Sequence, residues 1–314
     1  MILITGGMGF IGLNSAKALL RHGENAILTT STNPPRELPI LKEHLGKRLF
    51  IEVANATNGD AIMRVADKHS ITGILHMASP GFTGPPAECA LQNVQSLISV
   101  FQAGQALGVK RILLASSIAV YAGVEGPIWR EDATFPMASP FPMTAYKKVF
   151  EIYGDFFAAR TKISVVSARL SAYGPLQRGM FFPPPQMTHS AIKGIVGPEV
   201  VPGHEPPYED YSIDYGYIDD VADALARLQI APTLKYSTYN VAGGRSLSAR
   251  DFAHALVKAV PNAKFKLRAA PGDQPPYPAL DLSRLKEDVD WTPQYDVESG
   301  IAAYVAWLKA GNPF

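Results

Sequence analysis

The chain is poor in the features that would assign it to several common classes. Among its 314 residues there is one cysteine, Cys89, so no intramolecular disulfide can form, which fits a reducing compartment. The net charge is +1 and no basic run stands out. Nucleic acid is therefore not an expected partner, since neutralising a phosphate backbone needs clustered Lys and Arg. No apolar run approaches the length of a bilayer span, so no membrane partner is expected either. No His, Cys, Asp or Glu residues stand at metal-ligand spacing, and no metal is expected. There is no internal repeat and no low-complexity tract. Met1 runs directly into an apolar stretch, leaving no room for a signal peptide, and the expected location is the cytoplasm.

What is present begins at residue 1. Met1 to Thr5 is an apolar run of one strand's length, followed by Gly6, Gly9 and Gly12 in the spacing G-x-x-G-x-x-G. Beyond them Leu13, Ala16, Leu19 and Leu20 recur at helical spacing. A strand, a glycine turn and a helix together place a pyrophosphate on a helix N-terminus. Glycines let backbone N–H groups approach the phosphates, and the helix dipole favours their charge. The segment predicts a dinucleotide site.

Strand and helix patterns then alternate. Strands are predicted at 26–30, 49–53, 73–77, 111–116, 164–169 and 236–241, and helices at 59–69, 87–107, 144–160, 220–229, 249–260 and 300–308. Repeated β-α units predict an α/β fold, a Rossmann-type doubly wound parallel sheet with ligands at the carboxyl ends of its strands. A smaller C-terminal α/β substrate domain is expected beside it. The boundaries drawn are 1–169 plus 214–243 for the dinucleotide-binding part and 170–213 plus 244–314 for the substrate part. The stretches 180–186 and 197–211 are rich in proline, aromatics and acid and read as loops, of the kind that serve as lids.

An ordered set of motifs resembles the extended short-chain dehydrogenases/reductases, which include NAD(P)-dependent sugar epimerases and dehydratases. Thr5 to Gly12 resembles their TGxxGxxG, and His76-Met77-Ala78-Ser79 their H-x-A-A. The stretch from Ala115 to Tyr121 resembles the strand bearing the catalytic serine, which would be Ser117. Arg169 to Pro175 resembles the opening of the substrate region, and Asp214 to Ala222 the R-D-F-x-x-V-D-D-V-A stretch. Tyr239-Asn240-Val241 and Trp291-Thr292-Pro293 match later landmarks. The resemblance implies an NAD(P) cofactor held by Gly6, Gly9, Phe10, Ile11, Gly12, Thr30, Ser31, Arg36, Asn55, Ala56, Met77, Ala78, Ser79 and Lys147. It also implies a homodimer built from the helices 87–107 and 144–160.

The catalytic segment departs from the family. The family's Tyr-x-x-x-Lys is followed by glutamate four residues after the lysine. Here Lys147 and Glu151 fit, and the tyrosine position holds Met143. In the family the tyrosine exchanges a proton with the substrate oxygen, the lysine lowers its pKa, and the serine hydrogen-bonds the same oxygen. A thioether cannot carry that proton. Tyr146, one turn along, could replace it; Tyr121 or Tyr173 could enter from loops; Lys147 or water could act without a phenol; or redox catalysis is lost.

The position that ends the second strand, where an acid would hold an adenosine ribose, is Thr30, followed by Ser31 and, farther on, Arg36. This leans toward NADP over NAD. The family's two diphosphate-binding arginines are replaced by Ile213 and Ala270, with Arg268 and Arg178 as possible substitutes. That argues against a sugar diphosphate. The expected substrate is a small hydroxyl- or carbonyl-bearing compound lined by Phe82, Ser117, Tyr173, Phe181, Phe182 and Tyr211. Asp219 and Asp220 read as helix caps. The function expected is an NAD(P)-dependent oxidoreductase, epimerase or dehydratase. The alternative is an NAD(P)-binding protein or a non-redox enzyme.

Overall fold

The computed structural model describes residues 1–31, 39–81, 84–177, 182–194, 206–269 and 277–312. The first half alternates as expected: β1 (Ile2–Thr5), α1 (Phe10–Arg21), β2 (Ala26–Thr30), β3 (Leu49–Val53), α2 (Gly59–Ala66), β4 (Gly73–His76), α3 (Pro86–Leu107) and β5 (Arg111–Ser117). There follow β6 (Ile128–Trp129), α4 (Pro142–Ala158), β7 (Ser164–Leu170), β8 (Ala172–Tyr173), α5 (Pro183–Lys193), β9 (Ser212–Asp214), β10 (Gly216–Tyr217) and α6 (Ile218–Ile230). The chain closes with β11 (Thr238–Val241), β12 (Ser246–Ser248), α7 (Ala249–Ala259), β13 (Ala279–Leu280), α8 (Ser283–Val289) and α9 (Val297–Lys309).

Seven strands form one parallel sheet in the order β11-β7-β5-β4-β1-β2-β3. Apart from the edge strand β3, which is only partly buried, these strands are buried on both faces and read as apolar runs, as a sheet covered by helices on both sides requires. The order reverses between β1 and β4, and a crevice opens there at the carboxyl ends. One apolar cluster sits under α1 and α6, and a second lies on the opposite face under α2 and α3. A third joins α5, α7, α9 and the short strands β8, β9, β10 and β12, and it contains Tyr173, Tyr215, Tyr217, Phe252 and Tyr304.

The glycine turn works by close approach. Gly6 has φ +62, and a Cβ there would lie 2.8 Å from the backbone of Ala78. Gly9 precedes the first helical residue, with its N–H bonded to the Gly6 carbonyl. A Cβ on Gly12 would meet that same Gly6 carbonyl at 2.7 Å.

Two expectations change. The proline run read as loop opens α5: Pro183, Pro184 and Pro185 occupy its first turn, where the N–H groups have no intrahelical partner to lose and a fixed φ is helical already. Asp219 and Asp220 lie inside the first turn of α6 and do not cap it, since the residue before that helix is Tyr217. Asp219 pairs with Lys17 at 3.2 Å, and Asp220 accepts the N–H groups of Gln294 and Tyr295, both at 2.9 Å. Of the residues named from sequence, Arg36, Phe82, Arg178, Phe181 and Ala270 lie outside the described residues.

The Gly12→Ala variant is expected to lose about 1–3 kcal/mol of stability from overpacking against backbone, measured by urea unfolding. A wild-type midpoint would show that the turn can spread.

Candidate functional site

A cavity of about 590 Å³ lies at the carboxyl ends of the central strands. Phe10, Ile11, Met77 and Ser79 reach it from the glycine turn and from the end of β4. Ser116 and Ser117 reach it from the end of β5, and Met143 and Lys147 from α4. Trp129, Gln177, Phe182, Tyr211, Ile213, Tyr215 and Tyr277 line it farther out. The structure thus brings Ser117, Met143 and Lys147 together with the first turn of α1.

Met143 and Lys147 are one helical turn apart, so both side chains point the same way. Lys147 is fully buried, and burial pulls its ammonium down to about 8. Its Nζ stands 4.6 Å from the centre of the Phe150 ring. The Ser117 Oγ accepts the Ala119 N–H at 3.2 Å, which leaves its own proton free to be donated.

The remaining proposed phenols lie elsewhere. Tyr146 is three residues from Met143; its hydroxyl donates to the Pro86 carbonyl at 3.4 Å, and its side chain is not among those lining the cavity. Tyr121 is buried: its hydroxyl donates to Asn240 Oδ1 and accepts from Arg169 Nη1, both at 2.8 Å, and burial pushes its pKa up to about 12. Tyr173 is also buried, edge-on to Tyr217 and Phe252, with its pKa raised by burial. The expectation that Tyr173 lines the substrate site is therefore corrected: β8 points this ring into the third apolar cluster. Phe182 lines the cavity.

Behind the site lies a buried polar network that sequence reasoning missed. The Ser116 hydroxyl donates to Glu151 Oε1 at 2.5 Å. Glu151 receives Arg169 through Nη2 at 2.8 Å and Nε at 3.0 Å. Arg169 Nη1 also donates to the Glu131 carbonyl. His76 is wholly buried, sharing a 2.7 Å hydrogen bond between its Nδ1 and Thr5 Oγ1, and burial holds its pKa at about 3. It is a neutral stitch between β1 and β4 and offers no charge to chemistry.

Among the residues expected to hold the cofactor's adenosine, Thr30 is buried at the tip of β2 and Ser31 is exposed. Asn55 is exposed, with its Oδ1 accepting the Thr57 N–H, and Ala56 is buried. The Ala78 N–H donates to Thr5 Oγ1 at 3.3 Å. Arg268 donates to the Pro206 carbonyl and lies over the Tyr208 ring, outside the cavity lining.

The family model described as "NAD dependent epimerase/dehydratase family" matches residues 2–242. The UDP-glucuronate 4-epimerase of Thermodesulfobacterium geofontis is 24% identical over 325 residues, covering 98% of this chain and 95% of that protein. Among solved structures, the UDP-glucose 4-epimerase of Thermotoga maritima, crystallised with UDP-glucose, superposes with TM-score 0.82 at 21% identity, covering 99% of each chain. The UDP-glucose 4-epimerase of Bifidobacterium longum, in complex with NAD+ and UDP, gives TM-score 0.81 at 21% identity, covering 100% of this chain and 99% of that one. The relatives' names lean against the expectation that a sugar diphosphate is excluded.

With Lys147 brought down to about 8, its amine is expected to titrate more than two pH units below an ordinary lysine near 10.4. Carbon-13 NMR of reductively methylated protein, with Lys147→Met to assign the signal, checks this. A midpoint near 10 would mean that water reaches the ammonium.

Proposed function

Because the chain belongs to the NAD-dependent epimerase/dehydratase family, we propose that it binds NAD(P) along the first turn of α1 and acts on a hydroxyl or carbonyl of a small substrate. The observation that carries this reading is the convergence of Ser117, Met143 and Lys147 on one cavity with Phe10 and Ile11. When bound, the nicotinamide supplies a hydride donor or acceptor.

The chain's own residues do the rest. Ser117 donates its hydroxyl proton to the substrate oxygen and fixes that oxygen beside α4. Met143 fills the place where the family has a phenol and moves no proton. Lys147 is the acid/base. Below about pH 8 it is an ammonium that can protonate an oxygen; above, a neutral amine that can take a proton. Oxidation of a hydroxyl therefore speeds up through pH 8, and reduction of a carbonyl slows. The apolar walls suit a substrate with an apolar body. Thr30 and Ser31 hold the adenosine ribose without a carboxylate, so a 2′-phosphate is accepted at least as well as a hydroxyl.

Two other readings each have one observation in their favour. Met143 favours cofactor binding without redox turnover. The relatives' names favour a UDP-sugar, against which stands Ile213 in the cavity wall where the family resemblance has an arginine.

A homodimer belongs to the same proposal. The helices α3 and α4 pack side by side, and Leu91, Ile98, Ile152 and Phe156 are exposed on them. Two adjacent helices carrying one apolar face are self-complementary across a two-fold axis, so a second copy of this chain is the occupant.

Calorimetric titration should show micromolar NADPH binding at least as tight as NADH, and Lys147→Met should lower turnover at least 100-fold. No binding of either cofactor, or full activity in Lys147→Met, would overturn the proposal; saturable UDP-glucose binding would establish the UDP-sugar reading instead. Ile152→Asp combined with Phe156→Asp should halve the mass seen by light scattering. A wild-type protein that is already monomeric would remove the dimer.

A further inference from the structure

Two residues that line the cavity, Tyr215 and Gln177, each carry a buried polar atom without a partner among the described residues: the Tyr215 hydroxyl and the Gln177 Oε1. Both placements follow from local structure. Ile213 and Tyr215 stand two apart at the end of β9 and line the cavity together, while Asp214 between them turns the other way and accepts the Gly243 and Leu280 N–H groups. The Tyr215 ring is 5% exposed and is held edge-on between Phe182 and Phe252. Gln177 donates its Nε2 to the Ala172 carbonyl at 3.4 Å, which orients the amide and leaves its oxygen unmatched.

An unmatched buried hydroxyl or amide oxygen is costly, and native proteins carry few of them. Here the two belong to residues that line one cavity, and they offer complementary chemistry, a donor and an acceptor. We propose that the Tyr215 hydroxyl and the Gln177 carboxamide oxygen are substrate-binding groups that recognise an oxygen function, typified by a hydroxyl, on a mainly apolar substrate. Tyr215 donates to a substrate oxygen, and Gln177 accepts a substrate O–H. Neither takes part in proton transfer: burial raises the Tyr215 pKa, so the phenol stays protonated and serves as a donor only. The proposal rests on the reading of this cavity as the substrate site, and it names what the site recognises there.

The probes are 1-phenylethanol and cumene, which share a shape and differ by hydroxyl against methyl. Their affinities are measured by competition against a fluorescent apolar dye, with NADH binding followed in parallel. Tyr215→Phe is expected to weaken 1-phenylethanol on the order of tenfold and to leave cumene unchanged or tighter. Gln177→Leu is expected to do the same. Tyr215→Phe is also expected to raise the melting temperature by about 2 °C, because it removes an unsatisfied group.

Equal binding of 1-phenylethanol to wild type and Tyr215→Phe would overturn the proposal, as would no binding to wild type. A fall in melting temperature would overturn it too, since it would reveal an internal partner for the hydroxyl. Failure of NADH to bind the wild type would instead count against the cofactor reading, and the ratio of the two probes would still decide the role of Tyr215.

Discussion

The site depends on one buried ion pair, Glu151 with Arg169. Glu151 stands on α4, one turn beyond Lys147, and Arg169 stands near the end of β7. Two charges this deep cost several kcal/mol each in lost hydration. The cost is offset only if every lone pair and proton finds a partner. Glu151 takes the guanidinium through two nitrogens and the Ser116 hydroxyl from β5. Arg169 spends Nη1 on the Tyr121 hydroxyl and the Glu131 carbonyl. Sliding α4 by one residue would strand a charge, so the helix has a single register against β5 and β7. That register sets Met143 and Lys147 on the cavity side. The same pair also explains why Tyr121 cannot serve as the missing phenol: its hydroxyl is committed to Arg169 and Asn240.

Lys147 is the other consequence of this register. Held in apolar surroundings against Phe150, it loses hydration and its ammonium becomes a readier proton donor. In a site with a phenol at position 143, a lysine acts on the phenol. With a thioether there, the titratable group that lines the cavity from α4 among the described residues is the amine itself, its pKa already lowered to about 8 by burial. On the proposed function, the proton that a phenol would handle falls to this amine.

Much of this was legible in the sequence because it follows from local rules. The strand-glycine-helix opening and the alternating apolar runs depend on period and spacing, and all seven sheet strands fall within a few residues of the expected positions. Ser117 and Lys147 could be named as candidates because their motifs are linear, and both line the cavity. Two other features depend on partners distant in sequence. Tyr173 looks like a lining residue by its place after Arg169, yet β8 pairs with β10 and turns the ring into the core with Phe252. The helix α5 was hidden because proline is read as a breaker, and only its position at the N-terminus makes it compatible. Ser116, Glu151 and Arg169 carry no joint signature, since their meeting is made by the pairing of β5 with β7.

The tyrosines show how burial and partnership together separate structure from recognition. Tyr121, Tyr239 and Tyr304 are fully buried, and each hydroxyl has found an internal partner: Asn240, Asp288 and His189. Those three phenols can be understood as packing elements with their polar tips accounted for. Tyr215 is as well packed around its ring, but its tip has no such match among the described residues, and Tyr215 lines the cavity that Ser117 and Lys147 also line. An uncompensated donor in a core is a defect; in a binding cavity it is affinity held in reserve for whatever carries the matching oxygen. The proposed function and the proposed recognition groups together would divide between two ends of the cavity the tasks that a single tyrosine on α4 performs in the family. In that proposal the Lys147 amine handles the proton, and the Tyr215 phenol, kept protonated by burial, handles recognition.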